Sequence, residues 1–428
     1  MTAFKPVADV WVLVVLPRRS MVIEMISELT PVARSAGVSV EVGNARNALA
    51  NRKGKSIRVV AASQLLAAIS NRDPNRPLLG LDLVVCDNLE LLDSAYELGV
   101  SLLRYFTQSF PTRYVGFSDS LDDPTDLAAW LGVDPYALHS FRPNDRDQSL
   151  MFHTQTFTIP QSAPLFRAMA KPAHAAIQVV SPKESAIVFV PSIGQCRPVA
   201  FDLITQSALG TDTDNGYLPP NIHEEDLENH LAHLQDQSLG HLVSRGVGIF
   251  HESIKKSDRD LMLGLYAEGI VRVLVVARES CWTLPVRAAV VVVMGTQYLH
   301  MDSEGSERHL RDYELSELVH MQGRAVQPSG SGHFNLFCQA EARDTITRFL
   351  NEGLPLESSL LETHDLELWY RDQKAKGGFL DRRQGVNALS FTFLAQRIAS
   401  NPLYYDASAS SLDENLSRIV DRLDNLSD

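Results

Sequence analysis

Short β-branched runs alternate along this chain with longer amphipathic stretches, a rhythm that restricts it to parallel α/β architecture. The first part offers VWVLVVLP, VSVEV, IRVVAA, LDLVVCD and RYVGFS as strands. Between them, MVIEMISELTPVARSAG (21–37) and SAYELGVSLLRYFTQ (94–108) place apolar residues at three- and four-residue spacing, which predicts helices. Residues 133–165, rich in Pro, Asp, Arg and Ser, break the rhythm and read as a loop region. A second series follows: SAIVFVP, GVGIFH, VRVLVVA, AAVVVVMG and HFNLFCQ as strands, with helices expected near 196–208, 224–236, 257–267, 311–321 and 341–350. Beyond Pro355 the pattern turns helical and ends in the amphipathic SSLDENLSRIVDRLDNL. The expected organisation is an α/β domain over 1–165, a second over 166–352 and a helical tail over 353–428.

The 428 residues are 45% hydrophobic and 21% charged, within the range of globular proteins, so sizeable cores are affordable to the chain. The formal net charge of −13 supplies no global basic field, and any nucleic acid would need a local basic groove. Cys86, Cys196, Cys281 and Cys338 lack CxxC spacing and read as reduced, buried thiols without a zinc site. The apolar VWVLVVL is far shorter than the ~20 residues of a spanning helix and reads as a buried strand, so no membrane partner is expected.

Chemistry is sparse. Gly54-Lys55-Ser56 resembles the end of a phosphate-binding loop, yet Leu49 stands where the first glycine is needed. A strand rather than a helix follows it, so the triplet reads as a basic turn. GxxxxGK[ST] occurs nowhere in the chain, and GxSxG and HExxH are absent too. His251, His300, His309 and His320 read as core or surface residues rather than ligands. In LDLVVCDNLELLD an apolar strand runs into Asp87, Asn88 and Glu90. Asp87 is either an oxygen ligand for magnesium or the polar end of a core strand. Asn88 offers no basic site to an attacking water. Strand alternation would set Glu90 on the same face as Asn88.

The segments SAIVFVPS, GVGIFHESIKKSDRDLMLGLYAEGIVRVLVVARESCW, VVVVMGTQYL, MQGRAVQP and FLNEGLPLESSL occur in an order that resembles the second RecA-like domain of superfamily 2 DExH-box RNA helicases. MGTQYL and LSFTFLAQRIASNPLYYD (389–406) resemble in particular the spliceosomal members with two helicase cassettes, nearest to their degenerate C-terminal cassette. FSDSLDDPTDLAAWLGV (117–133) resembles the third helicase motif and the helix after it. The resemblance covers nearly the whole chain. It implies two RecA-like parallel-sheet domains and the start of a winged-helix domain.

Carried over by that resemblance, Asp87 matches the magnesium-binding aspartate of motif II, Asn88 replaces the catalytic glutamate and Glu90 replaces the histidine. In motif VI, Arg324 matches the first arginine, Gln327 stands where the finger-like second one belongs, and His320 replaces a glutamine. In motif V, Arg278, Cys281 and Trp282 fit while Thr283 replaces a glycine. Ser118-Asp119-Ser120 and Ala62-Ser63-Gln64 replace the usual motif III and Ib triplets. ATP and Mg2+ would be the cofactors of a surviving nucleotide site, held by Asp87 and Arg324. Pro17, Arg18, Gly43, Ser63, Gln64 and Arg278 match nucleic-acid-binding positions, with only weak single-stranded RNA contact expected. The chain starts near motif Ia, so the strand carrying the phosphate loop is expected to be missing. That would expose two strand edges in the first sheet unless a partner strand fills the gap or the sheet closes over it; otherwise the domain would be only marginally stable. Two functions stay open: a catalytically inactive scaffold that binds RNA and spliceosomal proteins or an active helicase cassette, or an N-terminally truncated ATP-dependent RNA helicase that unwinds small nuclear RNA duplexes. Either implies a nuclear location.

Overall fold

The structure is a computed structural model. It describes residues 9–427 except 51–53, 73–77, 211–215, 220–221, 223–226, 302–306, 329, 378–380 and 410. The chain divides into two compact units, one formed by residues 1–142 with 352–428 and the other by 143–351.

In the first unit, β1 (Val10–Leu16), β2 (Ser39–Val42), β3 (Lys55–Ala61), β4 (Leu83–Cys86) and β5 (Arg113–Gly116) form one parallel sheet in the order β2-β3-β1-β4-β5. The connecting helices are α1 (Arg19–Ser35), α2 (Ala62–Ser70) and α3 (Ser94–Thr107), with α4 (Thr125–Leu131) after β5. Of the outcomes left open for this sheet, the closed one is found. β1 pairs with β3 from Val10↔Lys55 to Leu16↔Ala61 and with β4 from Val12↔Leu83 to Val15↔Cys86, so the ladder is unbroken. A central strand buried on both sides needs partners on both sides for its backbone polar groups, and these five strands supply them.

The second unit contains β6 (Ser149–Phe157), α5 (Ala163–Ile177), β7 (Ala186–Val190), α6 (Ile193–Gly210), α7 (Glu228–Ala232), α8 (Gly240–Val243) and β8 (Val247–Phe250). It continues through α9 (Lys256–Ala267), β9 (Val273–Ala277), β10 (Val290–Met294), β11 (Gln297–Met301), β12 (Arg308–Asp312), α10 (Leu315–Gly323), β13 (Ser331–Gln339) and α11 (Arg343–Glu352). Its parallel sheet runs β6-β13-β10-β7-β9-β8. β7, β9 and β10 are buried throughout, as their unbroken apolar runs require.

Three features were not foreseen. β6 lies inside the stretch read as a loop and pairs with β13 over nine residues, so the first unit ends at 142 rather than 165. Its polar alternation, with exposed residues at every second position, disguises it. β11 and β12 form an antiparallel hairpin, which moves the helix expected at 311 to Leu315. Of the helix expected near 224–236, residues 224–226 lie outside the described residues and α7 covers Glu228–Ala232.

The tail forms α12 (Asp365–Ala375), α13 (Arg382–Leu389), α14 (Phe393–Ser400) and α15 (Leu412–Ser427), and these pack with α2, α3 and α4 of the first unit. An apolar face holds the tail helices together: Leu416, Val420 and Leu423 of α15 are buried, and α15 packs with α12, α13 and α14. Polar ties fix the orientation. Glu97 of α3, 1% exposed, accepts hydrogen bonds from the Ser358 hydroxyl and the Leu394 N–H, both at 2.7 Å, at the start of α14. Arg397 of α14 pairs with Glu357 at 2.6 Å and with Asp126 of α4. No described helix is long and apolar enough to cross a membrane.

Burial pushes the Glu97 carboxyl up to about 7, against the pull of the Ser358 and Leu394 hydrogen bonds. A carboxyl whose folded pKa is raised favours the folded state fully below its unfolded pKa, and that stability is lost as pH rises through about 7. Glu97→Gln keeps an acceptor for Leu394 and a partner for Ser358 but cannot ionise. Denaturant titrations between pH 4 and 8 should show the variant's profile flattened, with the variant more stable than wild type at pH 8 by on the order of 2 kcal/mol.

Candidate nucleotide and RNA site

In a parallel sheet every strand points its C-terminal end to one edge, where loops and helix N-termini can receive a ligand. The first unit places Pro17 and Arg18 after β1, Gly43 after β2, Ser63 and Gln64 in the first turn of α2 after β3, Asp87 to Glu90 after β4, and Ser118 and Asp119 after β5. The residues singled out in this unit therefore share one edge.

Their local roles differ. Pro17 is buried, whereas Arg18, which precedes α1, and Ser63 are exposed. The Gln64 side-chain oxygen accepts the Ala45 N–H at 3.2 Å and steadies the loop after β2. Gly43 is glycine for a packing reason, since a Cβ there would lie 2.9 Å from the Val60 Cβ.

Around Asp87 the chain turns sharply. The Tyr96 hydroxyl, fully buried, sits 2.8 Å from the Asp87 carbonyl and 3.0 Å from that of Val15, tying the ends of β4 and β1 together. An Asp87 side-chain oxygen accepts the Asn88 N–H at 2.9 Å. Burial raises the Asp87 carboxyl above its ordinary value, and that N–H draws it partly back. Asn88 adopts φ 53°, a left-handed conformation that asparagine tolerates better than most residues, and a 3-10 turn over Leu89–Leu91 follows. Asn88 and Glu90 do come together, with Nδ2 donating to Oε1 at 3.1 Å, but through this turn rather than through strand alternation.

Glu90 faces the loop after β5. Its other oxygen accepts the Asp119 N–H at 3.0 Å and the Ser118 hydroxyl at 3.3 Å. Burial, then the nearby Asp119 charge, push its carboxyl up to about 7. Asn88, Glu90, Ser118 and Asp119 thus form a closed polar joint between the ends of β4 and β5.

In the second unit, Arg278, Cys281, Trp282 and Thr283 fall on a 3-10 turn directly after β9. Arg278 is turned inward. Its guanidinium pairs with Glu317 of α10 and lies 3.7 Å from the Tyr298 ring centroid. Thr283 has φ −108°, so the backbone there does not require glycine. The His320 ring packs on Trp282 with centroids 4.5 Å apart, and Arg324 Nη2 lies 2.9 Å from His320 Nε2. Gln327 leaves its buried side-chain nitrogen without a hydrogen-bond partner among the described residues.

A cavity of about 710 Å³ opens between the first turn of α6, the end of β8 and the start of α9. Its polar wall includes Arg197, His251, Ser253, Lys255 and Asp258. Asp258, 1% exposed, accepts the Gln235 and Asp236 N–H groups at 3.0 Å each and so builds one wall. Arg197 pairs with Asp236 at 3.1 Å. His251 Nδ1 is buried without a hydrogen-bond partner among the described residues, and burial followed by the Arg197 and Arg259 charges holds the imidazole below its usual pKa. Two cations beside a helix N-terminus suit an anionic backbone. Sequence reading took His251 for an ordinary core or surface residue. The available signal was its position immediately after the strand Val247–Phe250.

Magnesium on a nucleotide needs one or two protein carboxylates, so Asp87 fits the metal side of such a site. No group of three or more His, Cys, Asp or Glu side chains placed to hold a metal by themselves occurs among the described residues. Position 88 carries an amide, which offers no basic site to a water, and both Glu90 oxygens are engaged.

Two parallel α/β units with these motif positions at their strand ends have the form of a superfamily 2 helicase core. The chain is 30% identical over 392 residues to the U5 small nuclear ribonucleoprotein 200 kDa helicase of Drosophila melanogaster, covering 87% of this chain and 18% of that protein. It is 30% identical over 376 residues to a DExH-box ATP-dependent RNA helicase of Arabidopsis thaliana, covering 85% and 17% respectively. It is thus a homologue of the DExH-box RNA helicases, and it spans less than a fifth of the length of the curated relatives it matches. The Escherichia coli DEAH/RHA helicase HrpB shares the fold, with a TM-score of 0.55 and 14% identity over 98% of this chain and 55% of that one. No protein-family model matches.

The left-handed backbone at 88 makes a simple repair costly. Asn88→Glu should lower stability by about 1 kcal/mol, since a longer side chain is placed in the αL region and the amide donor to Glu90 is lost. Asn88→Gly removes the same donor without the backbone strain. Urea unfolding of the two variants should therefore rank Gly above Glu.

Proposed function

We propose that this chain is a helicase-like module that does not hydrolyse ATP and acts as a scaffold, contacting single-stranded RNA weakly and docking proteins of the splicing machinery or an active helicase cassette in the nucleus. Homology to spliceosomal RNA helicases supports the setting. The observation that carries the loss of chemistry is Asn88. It stands at the position matching the catalytic glutamate and gives its amide to Glu90, which is itself bound to the loop after β5. Gln327 adds a second loss, because removing an arginine finger typically costs ~10³–10⁵ in phosphoryl-transfer rate. Any retained Mg2+–ATP would be bound through Asp87 and Arg324 and left uncleaved.

RNA contact is assigned to the strand-end edges: Arg18 and Ser63 in the first unit, Arg197 and Lys255 at the cavity in the second. Arg278 contributes less, since its guanidinium already serves Glu317 and Tyr298. With so few cations, binding should be weak and salt-dependent.

An RNA-stimulated ATPase assay should give background turnover for the chain. Turnover that Asp87→Ala abolishes would instead mark a working helicase fragment. In parallel, anisotropy titrations with labelled single-stranded RNA should show log Kobs falling with log[salt] at a slope of roughly −1 to −3, as expected for a few phosphate contacts. Lys255→Ala should make that slope shallower.

A further inference from the structure

The cavity in the second unit is graded from mouth to floor. Lys255 and Ser253 are exposed and Arg197 is half-buried, which sets the charged part of the lining at the mouth. The floor is apolar: Cys196 and Leu239 are 1% exposed and Ile249 is 2% exposed. Ile193 and Ile254, both half-buried, wall the space between these levels. His251 is half-buried there too, with its Nδ1 lacking a hydrogen-bond partner among the described residues.

The mouth suits an anion. Ile193 and Gly194 open α6, and Lys255 immediately precedes α9, so two helix starts add partial positive charge to the two cations. A Cβ at Gly194 would meet nothing nearer than the Ser192 Oγ at 3.9 Å, which leaves the α6 backbone open to close approach. Both carboxylates in the lining are engaged. Asp258 accepts two backbone N–H groups, and Asp236 accepts the Ser238 N–H and pairs with Arg197.

A phosphate alone needs no such depth. It fills only a small part of about 710 Å³, and cations at the mouth hold it without an apolar floor. Cavities of this size with apolar walls and a few polar groups take compact organic ligands. The matching ligand carries charge at one end and a flat apolar body with a polar edge at the other. A phosphorylated side chain enters phosphate first and would press its charge on the floor. An acyl chain would leave His251 Nδ1 unpaired. A nucleotide meets all three levels.

We propose that the cavity admits one unstacked nucleobase of bound single-stranded RNA. Arg197 and Lys255 hold its phosphate at the mouth, the ring rests on Cys196, Leu239 and Ile249, and His251 Nδ1 hydrogen-bonds the base edge. This rests on the RNA contact assigned above to Arg197 and Lys255, and adds to it the reception of a base. Burial and the Arg197 and Arg259 charges favour the neutral imidazole, so His251 meets the base as a hydrogen-bonding group rather than as a third cation.

The test is anisotropy on the full chain with two labelled strands of equal length, single-stranded RNA and the same backbone carrying abasic riboses. The abasic strand should bind about tenfold more weakly with an unchanged salt slope, because its phosphates are the same. Ile254→Trp, which fills the cavity, should bring the base-bearing strand down to the abasic level and leave the abasic strand unaffected. His251→Phe keeps a ring and loses the hydrogen bond, so it should weaken the base-bearing strand alone, and it decides the matter if Ile254→Trp does not fold. Equal binding of the two strands, a difference that survives Ile254→Trp, or a His251→Phe effect shared by both strands would overturn the base pocket and leave the RNA contact standing. Failure of both strands to bind at low salt would overturn the two together.

Discussion

The parallel ladder through β1 is the constraint on which the first unit depends. Val10–Leu16 has a hydrogen-bonded strand on each side, and its C-terminal end is tied to that of β4 by the Tyr96 hydroxyl between the Val15 and Asp87 carbonyls. Once β1 and β4 are locked in this way, Asp87 must sit at the strand-end edge with Arg18, Ser63 and Ser118. The motif positions keep their places because the sheet fixes them, whatever the side chains do.

Several residues at those places bond to neighbours within the chain. At the end of β4, the Asn88 amide donates to Glu90, whose other oxygen is bound to the loop after β5. After β9, Arg278 pairs with Glu317, and His320 fills the space between Trp282 and Arg324. Buried polar groups are costly unless bonded, and Asn88, Glu90 and His320 each have a partner nearby. Gln327 is the exception, with a buried nitrogen left unpaired among the described residues.

The fold was legible where physics leaves a strong signal. Ten strands announced themselves as β-branched runs, and the long helices through their three- and four-residue spacing. β6 was not legible, because an edge strand with polar alternation has no buried run to show. The β11–β12 hairpin was not, because β12 (RHLRD) is exposed along its whole length and reads as a helix start. The closure of the first sheet was not legible. Strand order is a tertiary property that periodicity does not carry. At the site, the identities of Asp87, Asn88 and Glu90 were readable, but their arrangement was not. The left-handed turn at Asn88 brings Glu90 to it and to Asp119, which no spacing rule predicts.

Glu90 is buried in a joint between β4 and β5, with both side-chain oxygens hydrogen-bonded. Its side-chain carboxyl can be followed directly by 13C NMR during a pH titration of the intact chain. The joint predicts a midpoint raised well above the ordinary carboxylate value by burial and by the Asp119 charge. A midpoint at the ordinary value of about 4.3 would mean an open, solvated carboxylate and would contradict it.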